Sequence, residues 1–185
     1  MPEEHVIAPV VRIVVAEDES IIAQDIHVTL VRLGYEVPAL VATGQDALQA
    51  VEEFQPDLVL MDIRLRGDMD GVESALLIRR RFGIPVVFLT AHSDEDTLHR
   101  AKNSSAYGFI LKPFEERDLH TAIQLALVKY QSDIKLKEGE DRLRMFFEFA
   151  PDAYFMYDLR GRFLDGNLAA EELVGSSPTV STWPT

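Results

Sequence analysis

Four polar residues, each close to the end of an apolar run, carry side chains that could together handle a phosphoryl group: Asp18, Asp62, Thr90 and Lys112. A carboxylate can act as a nucleophile in phosphoryl transfer and form an aspartyl phosphate. A lysine would balance the charge on the phosphoryl oxygens, and a threonine hydroxyl would add a hydrogen bond. Taken singly, each residue could instead cap a helix or stand in a loop. Together they predict a phosphoryl acceptor.

The acidic run Glu17, Asp18 and Glu19 adds a second feature to this site. If two carboxylates of this run lie within a few ångströms of Asp62, the three negative charges repel one another. Such a cluster is tolerable only with a bound cation. Ligands that are all oxygen select a hard ion. The sequence therefore predicts Mg²⁺ at the site, which Mn²⁺ could replace.

Hydrophobic patterning predicts the elements that must position these residues. Apolar runs suited to strands span 11–16, 37–42, 57–61, 85–90 and 107–111, and helical patterns follow them at 20–33, 44–54, 71–82, 94–103 and from about Glu115. Strands that are almost wholly apolar are typical of a parallel sheet buried on both faces. The alternation predicts an α/β fold with a doubly wound, five-stranded parallel sheet over residues 9–130. Reactive groups of such sheets gather outside the carboxyl ends of the strands, where all four polar residues fall.

Composition narrows the function classes. With 31 acidic and 18 basic residues, the chain of 185 residues has a formal charge of −13, so we expect no nucleic-acid binding. The lack of cysteine excludes disulfides, thiolate metal sites and a cysteine nucleophile. Acidic residues precede the first apolar run, the reverse of a secretory signal, and no apolar run reaches membrane-spanning length. We therefore expect a cytoplasmic location and no membrane contact.

The last predicted helix of this domain continues beyond the sheet. Apolar residues recur along it with a coiled-coil-like spacing at Leu119, Ile123, Leu127, Tyr130 and Ile134. This pattern predicts a helical linker over 131–141 and a homodimer formed through the helix and its extension, with a solvated amphipathic helix as the alternative. The stripe weakens around 137–142, where Gly139 is expected to break the helix.

The segments AEDE (16–19), VLMD (59–62), FLTA (88–91) and ILKPF (110–114), in this order and spacing, resemble a response regulator receiver domain. The resemblance implies a flavodoxin-like sheet with strand order 2-1-3-4-5. It implies a two-component phosphoacceptor that takes its phosphoryl group from a histidine kinase or phosphotransfer protein. Its only intrinsic chemistry would be autodephosphorylation, so no enzyme is expected in this segment.

The same resemblance assigns roles to individual residues. It implies that Asp62 is the phosphoacceptor and that Mg²⁺ is bound by the side chains of Asp18 and Asp62 and by the backbone carbonyl of Arg64, with Glu17 acting mostly through a coordinated water. Thr90 and Lys112 would contact the phosphoryl oxygens. The peptide bond between Lys112 and Pro113 would be cis.

A switch is also implied. Phe109 matches an aromatic residue that turns inward as Thr90 moves toward the phosphoryl group, although plain core packing is an alternative role for it. The output surface would then be the face made by the fourth predicted helix (94–103), the fifth strand and the fifth helix. Arg64 and His92 hold positions that modulate the lifetime of the phosphoryl group in the family.

The loop RLRGDMDG (64–71) departs from the family pattern. It has arginine where many relatives have proline and is one residue longer. Its two aspartates, Asp68 and Asp70, are expected to be turn or helix-capping residues.

The region after the receiver resembles the opening of a PAS sensor domain. The pattern predicts a short helix near Leu143 that stops before Pro151, a hairpin of AYFMYD and GRFLDG that turns at Arg160–Gly161, and a following helix. We expect a tail at 1–8, a truncated α+β PAS-like segment at 142–175 and a disordered tail at 176–185. A PAS domain needs about five strands, so the native protein is expected to continue into a complete PAS domain.

Two other functions are compatible with parts of this pattern. A haloacid-dehalogenase-like phosphatase also uses an aspartate nucleophile with Mg²⁺, but its nucleophile follows the first strand, where this chain has AEDE. A receiver fold that no longer accepts phosphate and only dimerises would have no need for the charged residues Glu17, Asp18, Asp62, Thr90 and Lys112.

Overall fold

The structure, a computed structural model, describes residues 10–91 and 106–175. The chain divides into two compact units, Met1–Gln131 and Ser132–Thr185. The predicted helix at 94–103, His92 and the two predicted tails lie outside the described residues. Within the described residues, no helix combines the length and apolar character needed to cross a membrane.

The described part of the first unit forms a parallel sheet. Its strands, in chain order, are β1 (Ile13–Ala16), β2 (Leu40–Val41), β3 (Leu58–Asp62), β4 (Val86–Ala91) and β5 (Gly108–Lys112). They are arranged in the order β2-β1-β3-β4-β5, and every neighbouring pair is parallel. This confirms the predicted flavodoxin-like sheet. β2 is shorter than the predicted run 37–42, because it lies at the sheet edge and Pro38 has no N–H to donate to the ladder.

In the described residues the helices are α1 (Ser20–Arg32), α2 (Gly44–Phe54), α3 (Gly71–Phe82), α4 (Glu116–Glu148) and α5 (Leu168–Val174). Alternate residues of the central strands enter two separate apolar cores. One core packs the sheet against α2 and α3, and the other packs it against α1 and the first part of α4. Because β1 and β3 are buried on both faces, their sequences are continuous apolar runs rather than alternating ones.

Helix caps place the loops around the carboxyl ends of the strands. The side chain of Thr43 accepts a hydrogen bond from the Asp46 amide at 3.1 Å and starts α2. The side chain of Asp70 accepts one from the Glu73 amide at 2.8 Å and starts α3. The predicted capping role of Asp70 is thereby confirmed.

The expected helix break at Gly139 is wrong, because α4 runs without interruption from Glu116 to Glu148. A glycine in a helix interior costs only about 1 kcal/mol relative to alanine. Its neighbours Glu138 and Glu140 are good helix formers with arginines four residues further on, at 142 and 144, a spacing that supports a helix. Flanking propensity therefore outweighs the glycine.

The stripe predicted to pair with a second chain is largely used within the first unit. Leu119 and Ile123 are fully buried in the core, and Leu127 and Tyr130 are partly buried against it. Ile134, the last residue of the stripe, is 38% exposed.

The second unit contains the antiparallel pair β6 (Phe155–Tyr157) and β7 (Phe163–Gly166), followed by α5. Gly161 has a φ of 77° in the connecting turn, which is the left-handed region that glycine tolerates without strain. The predicted hairpin and the helix after it are confirmed. The buried side chain of Asn167 caps α5 by accepting a hydrogen bond from the Ala170 amide at 3.1 Å.

Candidate functional site

The carboxyl ends of four strands bring the predicted site residues together. β3 ends at Asp62 and β5 ends at Lys112. Asp62 pairs with Leu89 of β4, so Thr90 is the next residue along that strand. Glu17 directly follows β1, which is the neighbour of β3 on its other side. Adjacent parallel strands thus carry these side chains to one edge of the sheet.

Three carboxylates form a compact cluster at this edge. Glu17, Asp18 and Asp62 each offer an oxygen, and these oxygens all lie within 4.8 Å of one another. Glu17 and Asp62 are buried, with exposed fractions of 2% and 9%. Three oxygen donors with no nitrogen or sulfur among them fit a hard divalent ion such as Mg²⁺.

Lys112 bridges two of these carboxylates. Its Nζ donates a hydrogen bond to Oε2 of Glu17 at 2.5 Å and another to Oδ2 of Asp62. The side chain of Lys112 is only 16% exposed, so both ion pairs are shielded from solvent. The peptide bond that links Lys112 to Pro113 is cis.

Burial and pairing shift the acid–base properties of this pair. Burial raises the pKa of Glu17 to about 6, and the charge of Asp62 adds to the rise while the hydrogen bond from Lys112 opposes it. Burial acts to lower the pKa of Lys112, but its hydrogen bonds to Asp62 and Glu17 outweigh that effect and raise the pKa. Lys112 therefore stays cationic, while Glu17 can gain a proton in mildly acidic solution.

Backbone amides orient the carboxylates. The amide of Arg64 donates to Oδ1 of Asp62 at 2.9 Å, so both carboxylate oxygens of Asp62 have a donor. The amide of Glu19 donates to Oε1 of Glu17 at 3.3 Å. An amide of the loop after β1 thus holds the carboxylate of Glu17, and an amide of the loop after β3 holds that of Asp62.

Thr90 and Phe109 lie on neighbouring strands. The hydroxyl of Thr90 donates to the carbonyl of Ala91 at 3.2 Å, and Thr90 is 2% exposed. The ring of Phe109 is partly buried and stacks on Phe88, with centroids 5.7 Å apart and planes 28° apart. Phe109 therefore contributes to core packing in this state of the protein.

Arg66 belongs to this cluster although the sequence did not predict it as a site residue. The Nε of Arg66 donates to Oδ2 of Asp18 at 3.2 Å, and the two residues are 48 positions apart. The available signal was that the loop 64–71 departs from the family pattern by an arginine and that this arginine lies among acidic residues. Pattern alone did not show which carboxylate it would meet.

An open cleft gives access to these groups. It has a volume of about 350 Å³ and is lined by Asp18, Glu19, Asp62, Ile63, Arg64, Leu65, Thr90, Ala91 and Lys112. The cleft is therefore large enough for a small phosphorylated group to approach the carboxylate of Asp62.

Comparison with curated proteins finds relatives of the first unit. The transcriptional regulatory protein PdtaR of Mycobacterium tuberculosis is 37% identical over 129 residues, which are 70% of this chain and 62% of PdtaR. The DNA-binding response regulator MtrA of Mycobacterium leprae is 34% identical over 116 residues, which are 63% of this chain and 51% of MtrA. The chain thus spans between about half and three fifths of the length of these relatives.

Solved structures agree with the fold. The signal receiver domain of a modulated diguanylate cyclase from Desulfovibrio desulfuricans G20 has a TM-score of 0.65 at 30% identity, covering 68% of this chain and 99% of that one. The N-terminal domain of a response regulator/sensory box/GGDEF three-domain protein from Carboxydothermus hydrogenoformans has a TM-score of 0.61 at 37% identity. The match covers 66% of this chain and 98% of that one.

Family matches cover both parts of the chain. Residues 141–184 match the PAS domain family. Residues 13–124 match the response regulator receiver domain family, which is more than half of the chain. The chain therefore belongs to the response regulator receiver family, and a PAS domain match follows its receiver.

Proposed function

We propose that this chain is a two-component receiver that accepts a phosphoryl group on Asp62 in a reaction that requires Mg²⁺. The observation that carries the proposal is the bridge of Lys112 between Glu17 and Asp62 beside Asp18. Family membership supports it, because a receiver with all of these groups in place has the parts needed for phosphoryl transfer.

The transfer step follows from the groups in the cleft. A carboxylate oxygen of Asp62 attacks the phosphorus of a phosphohistidine, the O–P bond forms as the N–P bond breaks, and the released imidazole nitrogen takes up a proton. Lys112 balances the charge on the phosphoryl oxygens, and the hydroxyl of Thr90 turns from the Ala91 carbonyl to donate to one of them.

Asp18, Asp62 and the backbone carbonyl of Arg64 would bind Mg²⁺ directly, and Glu17 would do so through water. The bound ion, or Mn²⁺ in its place, would offset the repulsion between the Asp62 carboxylate and the incoming phosphoryl group. Hydrolysis of the resulting acylphosphate would be the only intrinsic chemistry. Two residues are proposed to influence the rate of this hydrolysis. They are Arg64, whose side chain is exposed at the cleft, and His92, which lies outside the described residues.

Intact-mass spectrometry after incubation with acetyl phosphate and Mg²⁺ tests the proposal. One base-labile addition of about 80 Da is expected, as for an aspartyl phosphate, and it should be absent from Asp62→Asn and from samples with EDTA. Asp68→Asn is the matched control, because Asp68 is an exposed aspartate of the neighbouring loop, and it should be labelled like the unchanged chain. No addition under any condition would leave a receiver-like interaction module as the better account.

The partner that supplies the phosphoryl group is proposed to be a histidine kinase or phosphotransfer protein. A groove of about 570 Å³ adjoins the cleft, and its lining includes the apolar residues Ile21, Pro113 and Phe114 beside charged residues of the same segments. Ile21 is 86% exposed. An Ile21→Glu variant is expected to lose transfer from a phosphorylated histidine kinase domain while keeping its labelling by acetyl phosphate.

The output is proposed to be a population shift that starts at Thr90 and Phe109. When Thr90 turns toward the phosphoryl group, Phe109 follows it inward, and the face formed by the fourth predicted helix at 94–103, β5 and α4 changes shape. The PAS match after the receiver, together with the receiver and sensory-box arrangement named for the Carboxydothermus protein, supports a PAS-containing region as the target. Hydrogen exchange of α4 with and without beryllofluoride would measure the effect.

A homodimer through α4 is also proposed. In the part of α4 beyond Gln131, the apolar residues Leu136, Leu143 and Phe146 have exposed fractions of 65%, 70% and 70%. Leu136 and Leu143 are one heptad apart, as in a coiled-coil seam. A Leu143→Glu variant should sediment as a monomer where the unchanged chain sediments as a dimer, whereas Leu159→Glu, in an exposed turn, should not change the state.

A further inference from the structure

An arginine contacts one of the three carboxylates of the cluster. The Nε of Arg66 lies 3.2 Å from Oδ2 of Asp18, one of the three carboxylates whose oxygens lie within 4.8 Å of one another. The side chain of Arg66 is 69% exposed and that of Asp18 is 26% exposed. The pair is thus open to solvent on the arginine side and can dissociate without disturbing the core.

The backbone of Arg66 is held in place from the opposite side of the loop. It forms an isolated parallel bridge with Thr43, the residue that caps α2. Gly67 follows with a φ of 99°, a conformation suited to glycine, and turns the chain directly after Arg66. The guanidinium therefore reaches Asp18 from an anchored position, and its release requires only side-chain rotation.

The contact of Arg66 with Asp18 changes the net charge of the cluster. Glu17, Asp18 and Asp62 carry three negative charges when ionised, and Lys112 and Arg66 contribute two positive ones. A divalent cation added to all five groups would leave an excess of one positive charge. If Arg66 departs as the cation binds, the remaining groups and the cation sum to zero, which is the more favourable balance in a partly buried site.

We propose that Arg66 is a tethered competitor for the divalent cation: its guanidinium pairs with Asp18 in the cation-free protein and is released when the cation binds. The inference rests on the metal site of the proposed function. Arg66 acts through Asp18 and is a positioning residue. Because the backbone of Arg66 is paired with Thr43, this release moves the side chain and leaves the loop 64–71 in place.

Binding of Mn²⁺ measured by electron paramagnetic resonance gives the first test. Exposed ion pairs are weak, so Arg66→Gln should tighten Mn²⁺ binding by about two- to fivefold. Arg32→Gln is the matched control, because Arg32 is a similarly exposed arginine that pairs with Glu116 and is 63% exposed. It removes the same charge from the other end of α1 and should change the affinity by less than Arg66→Gln does.

The side-chain Nε–Hε resonance of Arg66 gives the second test, which does not depend on affinity. In the unchanged chain this signal should move on Mg²⁺ titration toward the position of a solvent-exposed arginine. In Asp18→Asn it should start near that position and not respond to Mg²⁺.

The outcomes separate this inference from the proposed function. Equal Mn²⁺ affinities for Arg66→Gln and Arg32→Gln, or an Arg66 signal that Mg²⁺ does not shift, would overturn the role of Arg66 while leaving the metal site in place. Failure of all three proteins to bind Mn²⁺ would overturn the metal site and this inference with it.

Discussion

Gly71, the first residue of α3, packs directly on the backbone of Asp62. A Cβ built on Gly71 would lie 1.9 Å from the carbonyl oxygen of Asp62 and 3.0 Å from the Cα of Ile63. The Gly71 amide also donates to the Ile63 carbonyl at 3.0 Å. Because backbone atoms cannot rotate aside as a flexible side chain can, only glycine allows α3 to start this close to the proposed phosphoacceptor.

Gly71→Ala is therefore expected to lower the free energy of unfolding by about 1–3 kcal/mol, as overpacked sites do, and to slow phosphorylation by acetyl phosphate because Asp62 must shift. Urea unfolding and intact-mass kinetics would measure the two effects. Gly108→Ala is the matched control, since its added Cβ would meet only the Val87 methyl groups at 3.7 Å. A Gly71→Ala protein as stable and as reactive as the Gly108→Ala protein would contradict this account.

Glu17 should give the metal-free protein a pH-dependent stability. Its pKa rises from 4.5 to about 6 on folding, mainly because it is buried. Between these values the folded state binds more protons than the unfolded state, so the free energy of unfolding contributed by Glu17 falls as the pH rises, by about 2 kcal/mol in total. Urea unfolding in EDTA from pH 4 to 7 should show this fall in the unchanged chain and a flatter curve in Glu17→Gln. Parallel curves would refute the assignment.

Mg²⁺ should stabilise the receiver by mass action. At about ten times its dissociation constant, a ligand that binds only the folded state raises the free energy of unfolding by about 1.4 kcal/mol. Removal of the ion with EDTA should reverse the gain, and Asp18→Asn should not show it. Asp68→Asn, which changes an exposed aspartate of the loop 64–71, should respond to Mg²⁺ as the unchanged chain does. An equal response of Asp18→Asn would show that the ion binds elsewhere.

Asn167 should control the stability of the second unit. Its Oδ1 accepts from the amides of Tyr154 at 2.8 Å and Ala170 at 3.1 Å, and its Nδ2 donates to the carbonyl of Asp152 at 2.8 Å. Asn167→Ala leaves these groups without partners and should destabilise the unit by about 1–3 kcal/mol. Faster hydrogen exchange at the Tyr154 and Ala170 amides would measure the loss. Asn167→Asp keeps the acceptor but replaces the donor to the Asp152 carbonyl with an oxygen, so it should also speed exchange at these amides. Identical exchange in all three proteins would refute the role.

Much of the first unit was predictable because its signals are local. Continuous apolar runs identify strands buried on both faces, and polar residues such as Asp62 and Lys112 stand where those runs end. Once the strands are parallel, their carboxyl ends meet at one edge, so the gathering of the site residues follows from their positions in the chain. The capping role of Asp70 follows in the same way from residue type and place in the loop.

Contacts between distant residues were decided by the tertiary structure. Lys112 meets Glu17 across 95 positions and Asp62 across 50, and Arg66 meets Asp18 across 48. The pairing of each cation with a carboxylate depends on the strand order and on the path of the loop after β3. The periodicity of hydrophobic residues gives neither of these. The course of α4 through Gly139 was also missed, because a single weak helix former is outweighed by its neighbours. The sequence by itself determined which groups gather at the carboxyl edge of the sheet, and the packing of strands and loops determined which of them touch, because side-chain pairing depends on three-dimensional distance rather than on local pattern.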